Sequence, residues 1–174
     1  MKRTDFTEMA CPIARGVGHV GEWWSMLVLR EAMYGVTRFD EFEKNLNIAP
    51  NMLTRRLSDL VGSGLMIRRQ YQDRPPRFEY VLTEAGVAFQ PVLLALAKWG
   101  NEYLSPEGAS IVMADRATGE PVAPVLVDEK TGRALHPDNV KFIPGPMATE
   151  RITARLARAE QRHAEKITAA PQQS

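Results

Sequence analysis

The chain has 174 residues, with 22 Lys+Arg against 21 Asp+Glu, 44% hydrophobic and 25% charged, figures that exclude a disordered chain and fit one ordinary soluble domain plus an appendage. No apolar stretch approaches the roughly 20 residues that cross a bilayer, and Met1-Lys2-Arg3-Thr4-Asp5 leads into no apolar signal core, so a cytoplasmic protein without membrane contact is expected. The single cysteine, Cys11, closes no intrachain disulfide and builds no thiolate cluster, which leaves hydrophobic burial to hold the fold.

From residue 11 to 63 the apolar residues recur with a helical period. Trp23, Trp24, Leu27, Val28 and Ala32 form one stripe, Phe39, Phe42 and Leu46 a second, and Leu53, Leu57, Leu60 and Val61 a third, which predicts three or four short helices. Gly35 is a stop signal, and Pro50 suits the first turn of the last helix, where its missing N–H would be unpaired anyway. At Leu65 the period changes to two. Residues 66–71 and 77–82 alternate as the arms of a hairpin, and Asp73-Arg74-Pro75-Pro76 forms a stiff tip, because proline cannot donate to a strand ladder.

Thr83-Glu84-Ala85-Gly86 then opens a long apolar helix running through Leu93, Leu94, Leu96, Ala97 and Trp99 to Leu104. It carries more hydrophobic surface than a small core covers, and a second copy of the chain would cover the surplus. Residues 105–146 are rich in proline and lack a helical period, with candidate strands at 110–113, 122–127 and 140–143 and turns at Thr118-Gly119 and Thr131-Gly132. Met147 to Ala169 is a polar surface helix, followed by a tail, Pro171 to Ser174. The expected class is mainly α with a small β-wing (α+β), divided into residues 1–104, 105–146 and 147–174.

The net charge of +1 hides an asymmetry. Between Lys44 and Arg77 there are seven cations against two acids, and phosphate binding needs such clustering. Helix, turn, helix and cation-tipped hairpin is the order of a winged helix-turn-helix. On the helix from residue 50, Leu53, Leu57 and Leu60 share one face, while Asn51, Thr54, Arg55 and Ser58 share the other. A short polar outer face of this kind suits a major groove: Arg55 for guanine, Asn51 for adenine, and Arg56 at the flank for a phosphate. Arg38 and Pro50 are grouped with them. Arg74 and Arg77 would lie along phosphates or enter a narrow minor groove. A solvated amphipathic helix and a plain surface hairpin remain open for each part alone, and the two together favour double-stranded DNA.

These residues carry a resemblance. Cys11-Pro12-Ile13, Trp24-Ser25-Met26-Leu27-Val28-Leu29-Arg30-Glu31, Arg38-Phe39-Asp40-Glu41-Phe42, Leu53-Thr54-Arg55-Arg56-Leu57, Pro75-Pro76-Arg77, Leu82-Thr83-Glu84-Ala85-Gly86 and Trp99-Gly100 resemble, in collinear order over about residues 8–104, the HxlR-type branch of the MarR-like winged-helix transcription regulators. The resemblance implies a homodimer, closed by the N-terminal segment and the helix near Trp99. Its reading helices would stand one DNA turn apart, about 34–36 Å, on a pseudo-palindromic operator, as in a repressor. The chain departs from the family pattern at Ala49, where a Ser or Thr cap is common, and at Trp23, where lysine is common. Residues 105–146 look like a small ribbon that has lost its Cys-Gly knuckles. Only His136 lies nearby, so neither metal nor cofactor is expected.

The family also implies an effector. Cys11 stands where several members sense electrophiles or oxidants, although a small apolar residue packed at a dimer seam is the reading that sequence favours. Trp23, Trp24, Met26, Tyr34 and Tyr103 would line a cavity for an aromatic effector, or serve as core. His19 and His163 have no assigned role. An enzyme is not expected: the glycine cluster Gly16-Val17-Gly18-His19-Val20-Gly21 follows no strand, and no nucleophile stands with a base and an orienting acid. The other reading left open is a winged-helix module that binds protein instead of DNA.

Overall fold

Ten apolar side chains form the core on which every element of the first half is hung: Val20, Val28, Leu29, Phe42, Leu46, Ile48, Leu53, Leu57, Leu60 and Met66 are all buried. The computed structural model describes Phe6 and residues 9–169, with no side-chain description at 166–169; the tail Pro171–Ser174 and most of the segment ahead of Met9 lie outside the described residues. The elements run α1 (Pro12–Val20), α2 (Trp23–Met33), α3 (Phe39–Leu46), α4 (Pro50–Gly62), β1 (Met66–Gln72), β2 (Arg77–Leu82), α5 (Glu84–Ala88), α6 (Gln90–Tyr103), β3 (Met113–Ala114), β4 (Pro121–Val122) and α7 (Glu150–Ala169). They fall into two compact units, Met1–Pro124 and Val125–Ser174. Among the described residues no helix is long and apolar enough to cross a membrane.

Four helices occupy residues 12–62, as the periodicity indicates. Gly35 leaves α2 with φ of +95°, a conformation costly for any side chain with a Cβ. A buried carboxylate then ties α2 to α3: Glu31 accepts from its neighbour Arg30 at 2.8 Å and from Asn45 Nδ2 at 2.9 Å. Between α3 and α4 the chain turns on Asn47, left-handed at φ of +49°, buries Ile48, and enters α4 through Ala49. Ala49 caps nothing, as its methyl dictates, and Pro50 fills the first turn.

The hairpin is antiparallel, Met66 opposite Leu82 through Gln70 opposite Phe78, with an irregularity before Gln72 meets Arg77. A third short piece joins it. Arg38 forms a bridge with Glu79, and the Tyr80 amide donates to the Thr37 carbonyl at 2.7 Å, so the start of α3 is stitched to β2.

Two expectations are corrected. The helix after Thr83 is two helices, because Pro91 lacks an N–H and its ring crowds the preceding turn; the chain breaks at Phe89 and restarts with the proline in the first turn of α6. The candidate strands at 110–113 and 122–127 shrink to a two-residue pair, Met113 opposite Val122 and Ala114 opposite Pro121, and to a single bridge, Val127 to Ala134, while 140–143 forms no strand. Prolines at 121, 124, 137, 144 and 146 leave too few consecutive donors for longer ladders. The turns fall where glycine permits them: Gly119 and Gly132 have φ of +74° and +67°, and Asp115 and Asp128 each accept hydrogen bonds inside their turns, which hold both carboxyls below the usual carboxylate range.

Candidate nucleic-acid interface

The outer face of α4 is built by its inner face. Leu53, Leu57 and Leu60 are fully buried, so the helix is anchored along one side and has no freedom to roll. Asn51, Thr54, Arg55 and Ser58 are consequently all exposed on the opposite side. The Thr54 hydroxyl donates back to the Pro50 carbonyl at 2.8 Å, and Asn51 Oδ1 accepts from the Met52 amide at 2.7 Å, which leaves the Asn51 amide nitrogen to donate outward. Among the described residues no carboxylate pairs with Arg55.

Arg56 is the residue that sequence reasoning misplaced. It is 2% exposed, and its Nη1 stands 3.4 Å from Glu22 and 3.3 Å from Asp59, so it faces the start of α2 and not a phosphate. Its Nε is buried without a hydrogen-bond partner. Consecutive helical residues point about 100° apart, so if Arg55 faces outward beside Thr54, Arg56 is carried toward the core. The arginine pair is thus divided between surface and interior.

The wing presents its cations in two ways. Arg69 is held by its cross-strand partner Glu79 at 2.9 Å, and Arg68 lies flat over the Phe78 ring at 3.4 Å. Arg74 and Arg77 at the tip are exposed, and among the described residues no acid pairs with either. The tip carrying them is braced by glutamines: Gln72 Nε2 donates to the Arg74 and Pro75 carbonyls, each at 3.1 Å, and Gln70 Nε2 donates to Asp73 at 3.1 Å. Arg38 reaches the same wing, stacked 4.2 Å from the centroid of Tyr71 and donating to its hydroxyl at 3.0 Å. Gln70 and Gln72 are supporting residues that motif reasoning missed, as is the hold that Tyr71, itself part of the family pattern, has on Arg38; the signal was an aromatic and two amides interleaved with arginines on the arms of the hairpin.

A groove of about 580 Å³ lies on the α1 side of α4, lined by Val17, His19, Glu22, Ser25, Arg55 and Ser58 among others. None of the five aromatic and methionine residues expected to hold an effector lines it. Trp24 and Met26 pack against the core, whereas Trp23 is 87% exposed and Tyr34 and Tyr103 also point outward, so the structure does not gather the five into one cavity. Helical spacing sends Trp23 and Trp24 to different sides, and Tyr34 stands past the end of α2. Cys11 is half-buried at the N-cap of α1. Along α6, Val92, Leu96, Trp99 and Tyr103 are exposed at spacings of four, three and four residues, forming one apolar stripe.

Comparison with known proteins agrees with this geometry. A family model for the HxlR-like helix-turn-helix matches residues 19–108. An HTH-type transcriptional regulator of Mycobacterium tuberculosis is 41% identical over 135 residues, spanning 77% of this chain and 85% of the relative. Among solved structures, a transcription-factor structure from Pseudomonas aeruginosa, PA1374, is 44% identical with a TM-score of 0.63, covering 84% of this chain and all of that one. PA1607, also described as a transcription factor, aligns with a TM-score of 0.74 at 33% identity, over 82% of this chain and all of its own. The redox regulator HypR in its reduced form aligns with a TM-score of 0.51 at 30% identity, over 56% of this chain and 99% of that one. The chain belongs to the HxlR-like helix-turn-helix family and is a winged-helix transcriptional regulator, not an enzyme.

Proposed function

We propose that the protein acts in the cytoplasm as a homodimer that binds a pseudo-palindromic operator, reading bases with Asn51, Thr54, Arg55 and Ser58 and holding phosphates with Arg38, Arg74 and Arg77. The observation that carries this reading is the exposed polar face of α4 standing on a fully buried leucine face, with Arg55 at its centre and, like the wing-tip residues Arg74 and Arg77, without an acid partner among the described residues. Footprinting on genomic DNA, followed by affinity measurements across a salt series, tests it. A steep fall in affinity with salt and a protected site with two related halves support the reading. A shallow dependence favours a winged helix that binds protein.

Arg77→Ala is expected to weaken binding to all sequences alike and to make the salt slope shallower by about 1 per lost phosphate contact. Titration of specific and random duplexes side by side checks this; a loss confined to the specific duplex removes Arg77 from the phosphate set.

Dimerisation through α6 is supported by its apolar stripe, which a single domain leaves in water. Trp99→Glu is expected to convert the dimer to monomer in sedimentation and to abolish high-affinity operator binding, because each half-site alone contributes only part of the free energy. A variant that stays dimeric moves the interface elsewhere.

Regulation by thiol chemistry is the favoured effector reading, since Cys11 lies at the helix entrance nearest the N-terminal segment and the fold matches the redox regulator HypR. Treatment with diamide is expected to change operator affinity of the parent protein and leave Cys11→Ser unaffected. An equal response in both proteins removes Cys11 from signalling.

A further inference from the structure

The second compact unit contains a charged surface that the helix-turn-helix does not account for. Its long helix, α7, places Arg151, Arg155, Arg158 and Arg162 at spacings of four, three and four residues. At 3.6 residues per turn these four side chains fall within about 60° of arc and run along about 16 Å of one face. All four are exposed, and among the described residues no acid forms an ion pair with any of them. The helix's own acids do not neutralise the line. Glu160 stands on the opposite side, where it holds Lys141 at 3.3 Å; Glu150 lies about a quarter-turn away, and Glu165 sits at the edge of the stripe.

The fold explains why the arginines point outward. Leu156, Ala159 and His163 lie on the side of α7 that lines a groove of about 390 Å³ with residues 137–142, so that side is occupied by the unit's own chain. The arginine line is set about a quarter-turn from it and faces water. Four like charges at (i, i+3) and (i, i+4) repel one another, which weakens the helix by a few tenths of a kcal/mol per pair. A helix that is only solvated relieves that cost by alternating signs.

We infer that the arginine face of α7 is a second DNA-binding surface, which holds the phosphate backbone beside the operator without reading bases. This rests on the operator-binding reading above. The choice of arginine favours phosphate, whose oxygens it meets in bidentate fashion. The stripe's length spans about nine backbone charges of duplex at one per 1.7 Å. No aromatic or large aliphatic side chain interleaves with the arginines, whereas insertion into a membrane surface or a protein hot spot would need one. Once the winged helix is bound, the second unit is tethered to the same duplex, and weak contacts then act at high effective concentration. The surface therefore lengthens the footprint and steepens the salt dependence without changing which sequence is chosen.

The test replaces the four arginines together by glutamine in the full-length protein, and separately by lysine. Circular dichroism confirms that each variant keeps its helix content, as glutamine and lysine are good helix formers. Affinities are measured on a minimal operator duplex, on the same operator with random flanks, and on a random duplex, each across a salt series. The wild type is expected to bind the flanked operator several-fold more tightly than the minimal one. The glutamine variant is expected to lose that gain, to show a salt slope shallower by about 2 to 4 per protomer, and to keep its preference for operator over random DNA. The lysine variant is expected to recover most of the slope. An unchanged slope and flank dependence in the glutamine variant overturns the inference and points to an acidic protein or an anionic surface as the partner of α7. Loss of operator preference in Arg55→Ala, measured in parallel, reports separately on the reading unit. A wild type that prefers no duplex sinks the operator reading, while the random-duplex slope still decides the role of α7.

Discussion

Replacing Arg56 and replacing Arg55 are expected to have opposite consequences, although the two residues are adjacent. Arg56→Ala should destabilise the fold by about 2 to 3 kcal/mol. The truncation opens a cavity where a long side chain is fully enclosed, and large-to-small changes at such sites cost about 2 to 5 kcal/mol. Part of that cost is offset, because the buried Nε has no partner and a desolvated donor of this kind costs about 1 to 3 kcal/mol in the native state. Glu22 and Asp59 are roughly half exposed, so neither is left as a fully buried charge when the guanidinium is gone. Arg56→Met separates these contributions: it keeps most of the volume and removes the buried charge, so its stability should lie within about 1 kcal/mol of the parent. Urea denaturation of both variants is the measurement. If Met and Ala are equally destabilising, the two ion pairs carry the stability and the packing account is wrong. Operator preference should survive in either variant that remains folded.

Arg55→Ala, by contrast, should leave the stability within about 0.5 kcal/mol of the parent, since its side chain is exposed and has no acid partner among the described residues. Specific binding should weaken by about 1 to 3 kcal/mol, with relaxed preference at one base position. Selection of bound sequences from a randomised operator library would show this as one position losing its bias. A uniform loss across all sequences would make Arg55 a phosphate contact.

Gly86→Ala is the second large effect expected, and it arises from backbone proximity. A Cβ at residue 86 would collide with the Leu65 carbonyl oxygen and stand 3.1 Å from Leu82 Cδ2. That same carbonyl accepts the Thr83 amide at 3.0 Å, while the Thr83 hydroxyl donates to the Gly64 carbonyl at 2.6 Å and accepts from the Gly86 amide at 3.1 Å. The corner between α4 and β1 is therefore tied to the corner between β2 and α5. A methyl group can enter only by prying the two apart. Because the obstructing atom is backbone, the cost belongs at the upper end of overpacking, about 3 kcal/mol. The wing should also become less protected, so hydrogen exchange of the β1 and β2 amides is the more direct readout. A variant with native stability and native wing protection would show that α5 shifts freely and that the glycine serves another purpose.

Most of the winged helix was legible from local pattern. Periods of 3.6 and 2 identified α2 to α4 and the hairpin: the three helices bury one face against a single core, which writes a period into the sequence, whereas the hairpin buries little beyond Met66 and is marked by its alternation and its proline tip. Pro50, Gly35 and the turns at Thr118-Gly119 and Thr131-Gly132 were equally plain, since each answers a backbone requirement met within about five residues. The exposed polar face of α4 followed as the complement of its leucines. The residues from 105 onward carried less information. Their proline content limited strands to fragments, and what orders them is a handful of turn contacts that leave no periodic trace.

Other features were decided only when distant segments met. The sequence by itself determined that a cationic short helix would sit beside a cationic hairpin, because that depends on composition and spacing along one stretch of chain. Which of those cations face outward depended on the third dimension. Arg56 was carried inside on the leucine face of α4 and met there by Glu22, thirty-four positions earlier, and Arg69 was claimed by Glu79 across the hairpin. Arg38 was carried onto Tyr71 by a bridge between the start of α3 and β2. A charge is free to meet phosphate only if no acid in its own fold reaches it first, and that competition is settled by tertiary contacts and not by neighbours in sequence.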